Sequence, residues 1–216
     1  MRRCGGPLLV HQEHDMTCAL VDPAVTYPFR GFNMVREGFA HVPQYLLPAG
    51  YVFRVYRDGD DQEWTRLHKA ADPFIDIKDE LFEDQYGAHR DALPDRMWFV
   101  DTDDDTTVAS ISAWWETGPH VANDRGRIHW VVVHPDHQRR GLSKPMMTKA
   151  MARLAQSHSA TILGTSSGRP WAVKVYLDFG FLPDGDQLAD PQILQAWQDV
   201  QSVINHPVLA AFLAEG

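Results

Sequence analysis

Apolar residues change their spacing from segment to segment along the chain, and that spacing predicts the elements. Tyr51-Val52-Phe53-Arg54-Val55-Tyr56 is dense in β-formers and runs into Arg57-Asp58-Gly59-Asp60, a strand closed by a turn. Trp64, Leu67, His68 and Ala71 recur at three and four residues and predict a helix over 61–71. Ile77 to Tyr86 predicts a second helix with Leu81 and Phe82 inward. Met97–Val100 predicts a strand that the acidic turn Thr102-Asp103-Asp104-Asp105 hairpins to Thr107–Trp115. Ile128–Val133 reads as the central strand. Strict alternation puts His129, Val131 and Val133 on one face and Trp130 and Val132 on the other. Met147, Ala150, Met151 and Leu154 stripe the next helix, Thr161–Leu163 is a strand, and Trp171–Phe179 is a helix stopped by Gly180. Gln192–Ile204 and a segment after Pro207 predict two more helices, which would cover a sheet edge, a binding site or a second copy of the chain. Antiparallel strands followed by strand–helix–strand–helix predict an α+β fold.

Residues 1–33 show no sustained period and read as a loosely packed extension. Met34 begins Met-Val-Arg-Glu-Gly-Phe, an alternative start. The expected organisation is a partly irregular extension over 1–48, one domain over 49–185 and a helical extension over 186–216.

Length and composition narrow the class. A chain of 216 residues fits one domain with an ordinary core plus extensions. No apolar run approaches the ~20 residues of a membrane span, and the basic start, Met1-Arg2-Arg3, precedes an apolar run too short for a signal peptide. Cys4 and Cys18 are the only cysteines, so neither a disulfide framework nor a zinc site is expected, and the expected home is cytoplasmic. The histidines show no metal-ligand spacing, so no metal is expected. A formal charge of −9 argues against nucleic acid as a partner and favours a cationic substrate over an anionic one.

The densest chemistry lies in His134-Pro135-Asp136-His137-Gln138-Arg139-Arg140-Gly141-Leu142-Ser143-Lys144, between the central strand and a helix. A basic, glycine-containing turn that opens a helix converges backbone N–H groups and the positive dipole end on one point, which suits phosphate.

Gln138-Arg139-Arg140-Gly141-Leu142-Ser143 resembles the Q/R-x-x-G-x-G/A signature of the GNAT superfamily, the acyl-CoA-dependent N-acyltransferases. Val133-x-Pro135 and Val175-Tyr176-Leu177-Asp178-Phe179-Gly180-Phe181 match two further superfamily positions, in order, within roughly Tyr51 to Pro183. Ser143 stands where the family has Gly or Ala, and is a good helix N-cap. Pro145 lacks an N–H but is tolerated in a first turn.

The resemblance implies a mixed, mostly antiparallel sheet with a splayed central strand pair and flanking helices. It implies acetyl-CoA as co-substrate, its pantetheine pairing with the backbone of Val131, Val132 and Val133 and its pyrophosphate on Arg139, Arg140, Gly141, Leu142, Ser143 and Lys144. Arg169 stands where many members place a pantetheine-binding Asn, and is expected to reach the CoA 3′-phosphate or an acidic acceptor. Tyr176 occupies the position of the general acid, although its helical face is also a core stripe. For the base, Gly164 and Thr165 offer no carboxylate. His129 is the first candidate, with a buried core histidine as the alternative, and Glu116 and His120 are rivals.

The implied activity is transfer of an acetyl group to a primary amine, on a small molecule or on a protein or peptide, by a chain that makes no membrane contact and is expected to form a homodimer in one reading. The alternative is an acyl-CoA-binding regulatory or interaction module without turnover.

Overall fold

A computed structural model of the protein describes residues 29–122 and 124–215. These form seven strands in one sheet: β1 Gly31–Glu37, β2 Tyr51–Val55, β3 Met97–Thr102, β4 Thr107–Trp115, β5 Gly126–Val133, β6 Ala160–Ser166 and β7 Leu182–Pro183, in the order β2-β3-β4-β5-β6-β1-β7. Every pairing is antiparallel except β5 with β6. Helices α1 Asp60–Ala71 and α2 Leu81–Tyr86 pack on one face around Trp64, Phe82, Tyr86 and Trp130. A single turn, α3 Leu93–Arg96, leads into β3. On the other face, α4 Ser143–Leu154, α5 Pro170–Asp178, α6 Pro191–Ile204 and α7 Pro207–Glu215 contribute to a larger cluster with Val131, Met147, Tyr176 and Trp197.

The predicted elements recur with shifted ends. The largest shift is in α2, which begins at Leu81 rather than Ile77. Ile77 is buried among the α1–α2 side chains, and a turn from Lys78 to Leu81 intervenes before the helix starts.

The N-terminal reading needs correcting. Residues 31–33, expected to be irregular, open β1, which pairs with β6 from Gly31↔Ser166 to Glu37↔Ala160. Phe32 and Met34 alternate inward and are buried, a period too short to stand out in the sequence. On its far edge β1 takes only the two-residue β7, through Met34↔Pro183 and Val35↔Leu182. The sheet position beside β6 is therefore filled from the N-terminal side of the domain. Trp197 of α6 is buried against the Phe32 ring, 4.0 Å between centroids. Helix α6 thus covers β1. Residues 1–28, including Cys4 and Cys18, lie outside the described residues.

Candidate active site

The site is organised by two irregularities in β5. It pairs with β6 only at Gly126↔Thr161 and Arg127↔Ile162, so beyond Arg127 the two strands part and no ladder joins Val131–Val133 to β6. On its other edge the register with β4 runs Ala109↔Val133 and Ser110↔Val132, then slips to Ser112↔His129. Trp130 and Val131 therefore both oppose Ile111, a β-bulge, with Trp130 at φ 47° in the left-handed region.

The bulge resets the alternation on which the sequence reading relied. Ile128, Val131 and Val133 pack toward α4 and α5, while Trp130 and Val132 pack toward α1 and α2. His129 joins the second group: its ring lies 5.6 Å from Tyr86 and 6.1 Å from Trp130, centroid to centroid. It does not share a face with Val131 and Val133, because the inserted residue flips every side chain before it.

On the α4/α5 face a cavity of about 200 Å³ brings together Val131, Val133, the basic turn and Tyr176. Val132 points to the other face, so only its backbone serves this side. In the turn, Arg139 (φ 59°) and Gly141 (φ 81°) are left-handed. A Cβ on Gly141 would meet nothing closer than Pro48 at 3.8 Å, so glycine is required there by conformation rather than by space. Gln138 ties the turn to the strand by donating to the Val133 carbonyl at 3.1 Å.

Leu142, not Ser143, is the N-cap of α4, and it makes no side-chain capping bond. Ser143 is the first helical residue and Pro145 the third, where its missing N–H costs no helical bond. Uncapped first-turn amides beside Arg139, Gly141 and Lys144 fit an anionic diphosphate.

Lys144 reaches the cavity but its Nζ also lies 3.1 Å from Asp178, and that hydrogen bond holds its ammonium above the ordinary lysine value. Burial pushes Asp178 up, yet hydrogen bonds from His206 and Lys144 outweigh it and hold the carboxyl below the usual range. Arg140 is exposed. Its Nη1 bonds the Tyr51 hydroxyl at 3.3 Å, and that hydroxyl is 3.0 Å from His137 Nδ1.

Tyr176 is placed by the end of its helix. Phe181 N–H bonds the Tyr176 carbonyl at 3.0 Å and Gly180 N–H bonds that of Leu177 at 2.9 Å, a Schellman cap with Gly180 at φ 79°. The Tyr176 and Phe181 rings meet 6.3 Å apart, the hydrophobic contact that accompanies such caps. The spacing Tyr-x-x-x-Gly-Phe is therefore a helix terminator that also aims the tyrosine. Arg36 of β1 bonds the Phe179 carbonyl and packs so close that a Cβ on Gly180 would be 2.8 Å from its Nη1.

Three expected site residues lie elsewhere. Arg169 is fully buried: Nη2 holds both oxygens of Asp72 (2.8 and 2.7 Å), Nη1 bonds Ser166 Oγ at 2.8 Å, and Phe74 packs on it at 4.6 Å. A charge this enclosed needs its carboxylate. It anchors the chain after α1 to the start of α5 and does not line the cavity. Glu116 is held by Arg125 in a two-bond pair (2.6 and 2.7 Å) where Trp115 faces Gly126, roughly 17 Å along β5 from Val131 at ~3.3 Å per residue. His120 is exposed in the loop beyond.

The α1/α2 face holds polar groups that pattern alone did not assign. Gln85 Oε1 accepts from Trp130 Nε1 at 2.9 Å and lies 3.0 Å from His129 Nε2. An oxygen already taking the indole proton can only accept, so His129 presents Nε2–H to it. His68 is fully buried. Its Nδ1 is 2.8 Å from the Trp64 carbonyl, and burial pushes its pKa down to about 3. The sequence placed His68 on the inner stripe of α1 without showing that it is an enclosed, neutral ring. Trp171 and His137 also line the cavity, a role no spacing signalled. Among the described residues no group of three His, Cys, Asp or Glu side chains converges to hold a metal ion, and no helix is long and apolar enough to cross a membrane.

Comparison with known proteins agrees with this geometry. Residues 61–181, more than half of the chain, match the model of the acetyltransferase (GNAT) family. Among solved structures, a GCN5-related N-acetyltransferase from Sphaerobacter thermophilus is similar at TM-score 0.59 and 16% identity, covering 72% of this chain and 50% of that one. A protein from Novosphingobium aromaticivorans assigned to the GNAT family is similar at TM-score 0.50 and 19% identity, covering 72% and 61%. The chain thus spans about half to three-fifths of the length of these two relatives, and at such identities the likeness speaks to the fold alone. No curated protein sequence matches. With a family match over the strand, the turn and the tyrosine helix together, the chain belongs to the GNAT acetyltransferase family.

Proposed function

We propose that the protein transfers an acetyl group from acetyl-CoA to a primary amine by direct attack. The observation that carries this reading is the single cavity joining Val131 and Val133, the Arg139–Lys144 turn and Tyr176. The ladder to β6 ends at Arg127, which supports pairing of an extended amide-bearing arm along the β5 edge at Val131 and Val132 as an added strand. The turn supplies cationic side chains and helix-start amides for the diphosphate.

In the proposed step the amine nitrogen forms a bond to the thioester carbonyl carbon and the carbon–sulfur bond breaks. A backbone N–H at the bulge stabilises the oxygen as it gains charge. Tyr176 gives its phenolic proton to the departing thiolate, and the proton that the nitrogen sheds as the amide forms restores the phenol. A phenol near pKa ~10 and a thiol near ~8.5 are close enough for that transfer without strong tuning. The ammonium's surplus proton must leave before attack. His129 lies on the opposite face of the bulge from the cavity, beside the gap between β5 and β6. It is the proposed acceptor for an amine arriving from the α1/α2 side. Neither Glu116 nor Arg169 takes part.

A thiol-release assay with acetyl-CoA and a panel of small primary amines and peptides with free N-termini tests this reading. Release of CoA thiol that depends on the amine supports it. Calorimetric binding of acetyl-CoA with no release across the panel would instead identify an acyl-CoA-binding module without turnover.

A further inference from the structure

A second cavity, of about 370 Å³, lies between the C-terminal end of β4 and the turn after α4. Its most unusual lining residue is Arg96, the last residue of α3, which is only 4% exposed. Its guanidinium stacks on the Trp115 ring at 3.9 Å, one Nη donates to the Ala113 carbonyl at 2.9 Å, and the other reaches Ser157 Oγ at 3.5 Å. Among the described residues no carboxylate lies within ion-pair distance of it.

The neighbouring charges do not close the balance. Arg153 approaches the same Ser157 hydroxyl at 3.2 Å, and the adjacent carboxylate in sequence, Asp95, is taken by Arg153 at 2.6 Å. Asp124 also lines the cavity, but its oxygens accept from the Thr117 hydroxyl and from the Thr117 and Gly118 amides. Burial, with repulsion from Arg153 added and Asp95 opposing, pushes Arg96 down to about 10, which leaves it charged at neutral pH. An enclosed cation without a counter-ion is costly, and stacking on one indole offsets that cost only in part.

We propose that this cavity is a binding site for a small molecule bearing a carboxylate on a short apolar chain, with Arg96 as the anchor. A guanidinium held flat against an aromatic ring presents its edge donors in the plane that a carboxylate matches. Trp115, Pro119 and Val121 give the walls an apolar surface for the carbon chain, and Asp124 disfavours a doubly charged phosphate more than a single carboxylate. The site is at the Gly126 end of β5, away from the basic turn, and is independent of the acyl-transfer reading.

The test uses the full chain, with butyrate and inorganic phosphate as probes in calorimetric titration, and ¹⁵N side-chain resonances to follow arginine. Saturable butyrate binding that shifts the Arg96 Nε resonance is expected, with affinity falling about tenfold or more in Arg96→Gln, the scale of one charge-assisted hydrogen bond. Arg96 is buried, so Val121→Glu provides a second variant at a half-exposed position on the cavity wall. Its installed carboxylate should occupy the site and abolish butyrate binding without changing acetyl-CoA affinity. No saturable binding to the wild type, undiminished butyrate binding in Val121→Glu, or binding of phosphate alone would each overturn the proposal.

Discussion

On the α4/α5 side of β5, Val131 and Val133 border a cavity and lie beyond the end of the β5–β6 ladder. On the α1/α2 side of the same strand, Trp130 and His129 are packed among Trp64, Tyr86 and His68, with Gln85 taking both the indole and the imidazole proton. One face lines a cavity and the other is closed around polar groups. A ligand can complete the first face, while the second fixes the bulge that aims the strand. A rigid packed layer and a ligand-sized cavity thus lie back to back across a single backbone, so that the cavity side keeps its geometry.

The largest effect should come from the open face. Tyr176→Phe keeps the ring against Phe181 and the Schellman cap but removes the proton. It is expected to lower kcat ~10²–10⁴-fold while leaving acetyl-CoA affinity unchanged. Near-wild-type turnover would reduce Tyr176 to a packing residue and weaken the contrast between the faces.

The closed face should answer to acid rather than to ligand. The folded state holds His68 near pKa about 3 and the unfolded chain holds it near 6.5, so between these values the unfolded state binds the extra proton. Its contribution is fully present above pH 6.5 and is lost as pH falls toward 3, by up to about 5 kcal/mol. Denaturant midpoints measured across that window should fall more steeply in the wild type than in His68→Asn. Parallel curves would show that the ring is not a buried neutral group.

Gly141→Glu should act at the turn, through left-handed strain of about 1–2 kcal/mol and through charge against the diphosphate. Calorimetry of the folded variant should show acetyl-CoA binding weakened by about tenfold or more. Equal affinity would remove the turn from the donor site.

The smallest effect is expected from His129→Gln, because solvent can also accept an amine proton. Turnover at pH 7 should fall by roughly tenfold, the low end for a general base, and recover at high pH where the amine is already neutral. An unchanged pH–rate profile would assign the proton to water and make the whole α1/α2 face a scaffold.

How much of this was legible in the sequence follows from the range of the interactions involved. The turn, α4 and the tyrosine helix were legible because their signals are local: Gly141 and Gly180 mark left-handed positions, and the apolar stripes repeat every three or four residues. The face of His129 was not, since a bulge at Trp130 depends on how β5 registers against β4. Arg169 was misplaced because its partner Asp72 is distant in sequence, so no spacing shows the pair. β1 was missed for a related reason. Phe32 and Met34 offer only two inward positions, and their partners on β6 lie far along the chain.

That pairing shapes how the chain reaches its native state. Gly31 closes on Ser166 across most of the domain, so the β1–β6 ladder is a contact of very high sequence separation, and loop entropy must be met before any of its bonds forms. As the chain leaves the ribosome, β1 emerges first and waits unpaired until β6 follows, an edge strand with Phe32 and Met34 exposed. Arg36 and Glu37 at its end supply charges that discourage pairing with a neighbouring chain in that interval. Completion of the sheet, rather than formation of the phosphate turn, is then the slow event in folding.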